Sequence, residues 1–406
     1  MLPFLTNEIP ALSCAIKTCD EDFIVEEQPL YEPSGQGTHV YAFIEKRGIS
    51  TPDALAQIAR VFGIPRWQIG FAGQKDARAV TRQWISIEHI KLEQVLNLDI
   101  PKIKVLSVTR HGNKLKLGHL SGNRFVIRLR KLQIAVIEAA AIAKRGLTIL
   151  SSKGVPNYFG AQRFGNRNTG HLLGEAVAKE RIDDFVDIFL GRAAEGDDFT
   201  TEARNLYEKS DYEKAHDAWP YSFSNERRSI KALIKGNGRK KKAFDSVDKR
   251  LKSFFISAYQ SDIFNNVLAA RMPSIDKLLT GDMAYKHING ACFRVEDAAV
   301  EQARCDSFEI SPTGPILGHR TTLLTGPAGE IENAVLSRNQ LTENELRIMQ
   351  RYGAKGGRRP LRFALKDLEV DTGEDSAGQY LQLEFELTSG CYATTVLREI
   401  MKIDPS

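Results

Sequence analysis

No apolar run in this chain of 406 residues approaches the roughly 20 residues that cross a bilayer, which excludes a helical membrane span. The first residues, Met1 to Pro10, lack a basic flank followed by an apolar stretch, so the expected location is the cytoplasm. Cysteine is scarce and scattered. Cys14, Cys19, Cys292, Cys305 and Cys391 form no CxxC pair, so neither a zinc site nor a disulfide framework is indicated, and reduced thiols are expected. None of the eight histidines stands in a metal-ligand spacing such as HExxH, and no metal site is expected. The glycines from Gly35 to Gly37 are too few and lack a Lys-Ser/Thr ending, so no nucleotide cofactor is expected either. Internal repeats and low-complexity tails are absent.

What is present describes a soluble, folded protein. Hydrophobic residues make up 42% and charged residues 26%, and the length suits two domains. The net charge of +5 permits a polyanionic partner without requiring one. Eleven Lys or Arg occur between Arg227 and Lys252 against only Asp245 and Asp248, including the run Arg239-Lys-Lys-Lys242. Such a stretch serves either a solvated surface or a phosphate-rich partner. An acidic part, Glu195 to Asp217, precedes it.

Along the chain, Ala15 to Val25 and Thr38 to Ile44 are expected strands. A helix follows in which Thr51 is placed as the cap, Pro52 at the first helical position and Gly63 at the end. From Ile103 to Arg130 the alternation predicts an antiparallel meander turning at His111-Gly-Asn113 and Ser121-Gly-Asn123. In Arg124-Phe-Val-Ile-Arg-Leu-Arg130 basic residues recur at alternate positions, a positive sheet face on which RNA could lie. Ile134 to Leu150 is an expected helix. Helical periodicity dominates from Gly154 to about Pro360, as in His171 to Ala178, Ile182 to Leu190 and Ser253 to Met272. Strands return at Leu361 to Val370 and Tyr380 to Leu387. The expected fold is α+β, one sheet-forming domain of residues 1–153 and 361–406 interrupted by a largely helical domain of residues 154–360.

Phe71-Ala-Gly-Gln-Lys-Asp-Ala-Arg-Ala-Val-Thr81 sets Asp76 between Lys75 and Arg78 just after a glycine turn. Nearby cations favour the charged form of a carboxylate, and an ionised carboxylate can attack a sugar carbon as in glycosidases. The plain alternative is a surface turn whose charges balance.

Together with that segment, Gly122-Asn-Arg-Phe125, Gly154-Val-Pro-Asn-Tyr-Phe-Gly-Ala-Gln-Arg-Phe-Gly165, Ser257-Ala-Tyr-Gln-Ser-Asp-Ile-Phe-Asn265 and Gly390-Cys-Tyr-Ala-Thr-Thr-Val-Leu-Arg-Glu399 resemble the TruD family of tRNA pseudouridine synthases. The motifs span nearly the whole chain. The resemblance implies a mainly antiparallel, curved catalytic sheet flanked by helices, a helical TRUD-type insertion completing an RNA-binding cleft, and cofactor-free isomerisation of uridine 13 in the tRNA D arm. It further implies Asp76 as nucleophile and Phe23, Asn123 and Tyr392 as substrate contacts, with tRNA as partner and no obligatory protein partner. Tyr392 stands where the family often has phenylalanine. Lys17 and Glu27 match its basic and acidic positions, and Arg163 with Arg358-Arg359 are candidates either for tRNA phosphates or for a boundary ion pair. Two rivals remain: an RNA-binding or chaperone protein without catalysis, which a buried negative charge at Asp76 would not serve, and a nucleoside hydrolase or glycosylase.

Overall fold

The computed structural model describes residues 2–193, 199–339 and 341–404. The start of the acidic stretch, residues 195–198, lies outside them. Two compact units are formed, one by Phe4–Val155 with the chain from Phe363 onward, the other by Pro156–Arg362 with the extreme N-terminus. Among the described residues no helix is long and apolar enough to cross a membrane.

The first unit is a mixed α+β fold around an eight-stranded sheet. Its strands are β1 (Phe23–Pro29), β2 (His39–Arg47), β3 (Ile69–Phe71), β4 (Val80–Glu88), β5 (Ile103–His111), β6 (Leu120–Leu129), β7 (Lys366–Asp375) and β8 (Gly378–Thr388). The order is β7-β8-β6-β1-β4-β2-β5, with β3 also on β4, and the described pairs are antiparallel except β1 with β4. The first strand begins eight residues later than the alternation from Ala15 suggests. Lys17 adopts a left-handed φ of 53° and Asp20–Asp22 form a 3-10 turn, which ends extended backbone before Phe23.

Residues 103–130 form no meander. Strand β5 pairs with β2 at one edge, whereas β6 lies between β1 and β8. Ser121-Gly-Asn123 is not a turn but the start of β6, and Gly122 is needed there for approach: a Cβ would lie 2.3 Å from the carbonyl oxygen of Leu387 on β8.

Side chains opposed across a ladder share a face. On one face, helix α1 (Thr51–Phe62) seats Leu55, Ile58 and Ala59 against Ala42, Ile44, Ile85 and Ile87. At the other end of the same face, helix α2 (Val136–Lys153) packs on β7 and β8 and against helix α3 (Ala393–Met401). Burying these apolar surfaces, at about 25 cal/mol per Å², is the main drive for this unit.

The opposite face carries the basic residues of β6, and they are spent on neighbours. Arg124 pairs with Glu384, Arg128 with Asp375 at 3.3 Å, and the 3%-exposed Arg130 with Asp22 and Asp375, each at 2.6 Å. Arg82 joins Glu26 at 2.9 Å and Glu45 at 3.0 Å. The expected positive stripe is therefore largely self-neutralised: Arg82 and Arg124 meet carboxylates of adjacent strands, and Arg128 and Arg130 reach Asp375 at the end of β7, with Asp22 of the 3-10 turn also on Arg130.

In the second unit, helices including Gly170–Ala178, Ile182–Leu190, Ser224–Lys235 and Lys249–Ala270 share a core of Phe185, Trp219, Ile230, Leu233, Phe255 and Tyr259. Gly174 permits a close helix contact, since a Cβ there would lie 2.0 Å from the carbonyl oxygen of Phe255. A four-stranded sheet of Gly357–Pro360, Ile310–Ile316, Met283–Lys286 and Cys292–Arg294 accompanies them, which helical periodicity did not reveal. The basic stretch from Arg227 is helical and partly compensated: Lys240 pairs with Asp187 at 2.6 Å, Lys241 with Asp245 at 2.9 Å, and the buried Lys252 lies 3.9 Å above the Phe244 ring.

Candidate active site

Between the α1 half and the α2/α3 half, the inward sheet face turns polar. Lys46 opposes Thr81 and Ile44 opposes Gln83 across β2 and β4, Val25 opposes Thr81 across β1 and β4, and Glu27 opposes Asn123 across β1 and β6. Lys46, Thr81, Gln83, Glu27 and Asn123 thus form one polar seam on an apolar face. All but Asn123 are buried.

The turn bearing Asp76 lies over this seam and is tied to it by its own backbone. Buried Lys46 donates from Nζ to the carbonyls of Asp76 at 2.8 Å, Ile49 at 2.7 Å and, more weakly, Lys75 at 3.5 Å. Lys75 N–H donates to Thr51 Oγ1 at 3.0 Å, and Thr51 Oγ1 donates to Gln83 Oε1 at 2.9 Å. Thr51 is therefore a brace for the turn; the helix cap is Ser50, which accepts from Asp53 N–H at 3.3 Å. Burial pulls the Lys46 ammonium down to about 8, with the negative charge of Asp76 acting in the other direction.

Asp76 itself is paired with Lys17, Nζ to Oδ2 at 3.1 Å, with side chains 52% and 19% exposed respectively. The expectation that Lys75 and Arg78 flank the carboxylate does not hold. The Lys75 side chain turns inward, 2.9 Å from Glu27 Oε2 and 2.7 Å from Asn123 Oδ1, and Arg78 is exposed. Adjacent residues on a tight turn point apart, so the cation serving Asp76 comes from a distant segment. Its 52% exposure also removes the buried charge that was held against a purely RNA-binding protein.

Glu27 is buried, and that burial raises its carboxyl above the ordinary range, opposed by Lys75 and by the Trp84 N–H, which donates to Oε1 at 3.2 Å. Asn123 is half-buried; with Oδ1 accepting from Lys75, its amide hydrogens remain to donate. Phe23 is 2% exposed, edge-on to Phe125 at 6.2 Å and capped by the Lys17 ammonium 4.3 Å from its ring centre. Tyr392 precedes α3 and is 53% exposed. It follows the end of β8, where Ser389 N–H donates to the Ser121 carbonyl at 2.9 Å, so it leaves the sheet beside the start of β6.

Lys46, Thr51 and Gln83 were missed by motif reading. A signal existed: in Val40-Tyr-Ala-Phe-Ile-Glu-Lys46 every second residue faces inward, which assigns Lys46 to a core position, and Thr81 and Gln83 precede Ile85 and Ile87 in the same way. Polar residues at inward positions mark the seam.

The family model described as tRNA pseudouridine synthase D (TruD) matches residues 2–400. The tRNA pseudouridine synthase D of Geobacter sp. (strain M21) is 43% identical over 402 residues, 99% of each chain, and that of Thermus thermophilus is 36% identical, covering 99% of this chain and 92% of its own. A solved Methanosarcina mazei structure described as a putative tRNA pseudouridine synthase D (TruD) superposes with a TM-score of 0.88 at 27% identity, covering 99% of this chain and 96% of the other. A whole-length family match, relatives above one third identity and a shared fold leave one conclusion: the chain belongs to the tRNA pseudouridine synthase D (TruD) family.

Proposed function

We propose that this chain isomerises uridine to pseudouridine at position 13 of the tRNA D arm, with Asp76 as nucleophile and no cofactor. In this reading the unit of Phe4–Val155 and Phe363 onward is the catalytic domain and Pro156–Arg362 is its insertion. One observation carries it: a half-exposed carboxylate, ion-paired to Lys17, on a turn whose backbone is held by Lys46 and Thr51 above a polar seam. Such preorganisation suits attack by a fixed group more than passive binding.

The reaction balances without redox change. The C1′–N1 bond breaks and its electron pair stays on uracil, whose two carbonyls spread the charge. Asp76 either bonds to C1′ as an ester or removes the C2′ proton to give a glycal. Uracil then turns and C5 bonds to C1′, as the C1′–O ester bond breaks and frees the Asp76 carboxylate or as the glycal takes the proton back at C2′ from Asp76; the proton on C5 is lost and N1 gains one. In this reading Asn123, whose Oδ1 accepts from Lys75, donates an amide hydrogen to a uracil carbonyl. Extruding the base costs a few kcal/mol, and stacking on the exposed Tyr392 ring returns roughly 1–3 kcal/mol. Phe23 lies beneath Lys17 and meets the base once that ammonium turns aside.

Asp76→Asn and Asp76→Ala are expected to abolish pseudouridine formation in a tRNA transcript while tRNA binding stays near wild type. Mapping the modified position reads both parts of the proposal. Full turnover by either variant removes Asp76 as nucleophile, and a product at a position other than 13 overturns the site assignment.

A further inference from the structure

Lys75 adjoins the proposed nucleophile in sequence but turns its side chain away from it, and the chemistry above leaves that side chain without a task. Its ammonium lies 2.9 Å from Oε2 of Glu27, with side chains 4% and 1% exposed respectively. Exchanging a buried ion pair for apolar side chains of similar size is often neutral or stabilising, so stability alone does not account for a charged pair beneath the site. The second contact of the ammonium does: Lys75 Nζ donates to Asn123 Oδ1 at 2.7 Å.

An ammonium has hydrogens and no lone pair, so the Asn123 amide can meet it only through its oxygen. The amide is thereby held in one of its two orientations, with its nitrogen away from Lys75. Asn123 is half-buried, and among the described residues nothing accepts its two amide hydrogens.

The arrangement is itself fixed at several points. Lys75 N–H donates to Thr51 Oγ1 at 3.0 Å, Trp84 N–H donates to Glu27 Oε1 at 3.2 Å, and Glu27 faces Asn123 across β1 and β6. Gly73 leaves room for the ion pair, since a Cβ there would lie 3.3 Å from Lys75 Nζ and 3.7 Å from Glu27 Oε2. The carbonyl of the next residue, Asp76, is held by Lys46 at 2.8 Å. Adjacent residues on one braced turn thus carry the carboxylate and the ammonium that orients the amide.

We propose that Lys75, seated by Glu27, is a positioning residue that presents Asn123 to the substrate base as a hydrogen donor only. The proposal rests on the uridine-isomerising function proposed above and deepens it. A fixed donor suits a uracil carbonyl, and it gains strength as the C1′–N1 bond breaks and negative charge gathers on that oxygen. It has nothing to offer an exocyclic amino group, so a cytosine bringing its amino group to the same place is refused.

The test is a double-mutant cycle on the full chain, read as the single-turnover rate of pseudouridine formation at saturating tRNA transcript. One variant replaces the pair as Glu27→Leu/Lys75→Met, which leaves no bare charge; the second is Asn123→Ala; the third combines them. Asn123→Ala is expected to slow the reaction about 100-fold, the loss typical of one donor to a developing oxyanion. Replacing the pair is expected to slow the wild type about tenfold but the Asn123→Ala enzyme by less than about twofold, because the effect passes through that amide. Lys75→Gln, whose amide can donate to Glu27 and meet Asn123 in either orientation, repeats the cycle without altering Glu27 and is expected to give the same pattern. A role in folding, or in holding the Asp76 turn, would slow both backgrounds alike, and that result overturns the proposal. So does a wild-type rate in Asn123→Ala, or in both the pair replacement and Lys75→Gln. A wild-type chain that forms no pseudouridine fails the proposed function first, a result distinct from unchanged variants of an active enzyme.

Discussion

The two faces of the eight-stranded sheet use charge in opposite ways. On the outward face Arg82, Arg124 and Arg128 meet Glu26, Glu45, Glu384 and Asp375 at positions that include solvent, where pairs contribute little and balance one another. On the inward face Lys46, Lys75 and Glu27 are withdrawn from water, so each must be satisfied or the turn above them moves. Position on the sheet, more than the number of charges, separates scaffold from site.

The largest effect is expected at the buried pair. Lys75→Met leaves Glu27 without its cation, and breaking such a pair costs roughly 3–5 kcal/mol. The deficit has a pH signature. With its folded value already raised by burial, Glu27 is raised further without Lys75, so the folded variant binds more protons than the unfolded chain above the ordinary carboxylate range. Stability then falls as pH rises through that window and recovers as pH falls toward it. Urea unfolding across pH reads this, and adding Glu27→Gln is expected to restore most of the loss. A pH-independent deficit of under about 1 kcal/mol would place Lys75 with the outward, solvent-balanced charges.

Next comes Lys46, which touches no part of Asp76 but its backbone. Lys46→Met releases the carbonyls of Ile49 and Asp76, and displacement of a reacting group by about 1 Å can cost 10²-fold in turnover. In the wild type, turnover is expected to fall as pH rises through about 8, where the folded chain gives up this proton and the ammonium no longer holds its three carbonyls. Stability moves the other way. The unfolded chain keeps the proton to about pH 10.4, so between these values it binds more protons than the folded chain and this group's contribution to stability rises with pH. Lys46→Met should lack both trends. Unchanged turnover with an unchanged pH profile would reduce Lys46 to packing.

These expectations show what was legible in the sequence. Asp76, Lys17, Glu27 and Asn123 came from motifs, and the structure brings them within one connected set of contacts, although it assigns the cation beside Asp76 to Lys17 rather than to its chain neighbours. The helices α1 and α2 were visible in their periodicity to within a few residues. Lys46 and Gln83 were hidden because strand alternation was used to find apolar faces and not to ask which polar residues occupy them. Pairing was hidden for a different reason: one of the two partners of β6 is β8, more than two hundred residues away, and local pattern carries no record of it. That same pairing places Glu384 beside Arg124, so a stripe of arginines suggesting RNA proved neutral.

The smallest effect tests that neutrality. Arg124→Gln removes a guanidinium that is 42% exposed, and the expected change in stability is within about 1 kcal/mol. The tRNA affinity and its salt slope should stay at wild type, since a guanidinium already facing Glu384 releases few counterions from RNA. If Arg124→Gln instead lowers the slope by about 1, Glu384 yields its arginine to a phosphate when tRNA binds, and the outward face belongs to the substrate surface after all.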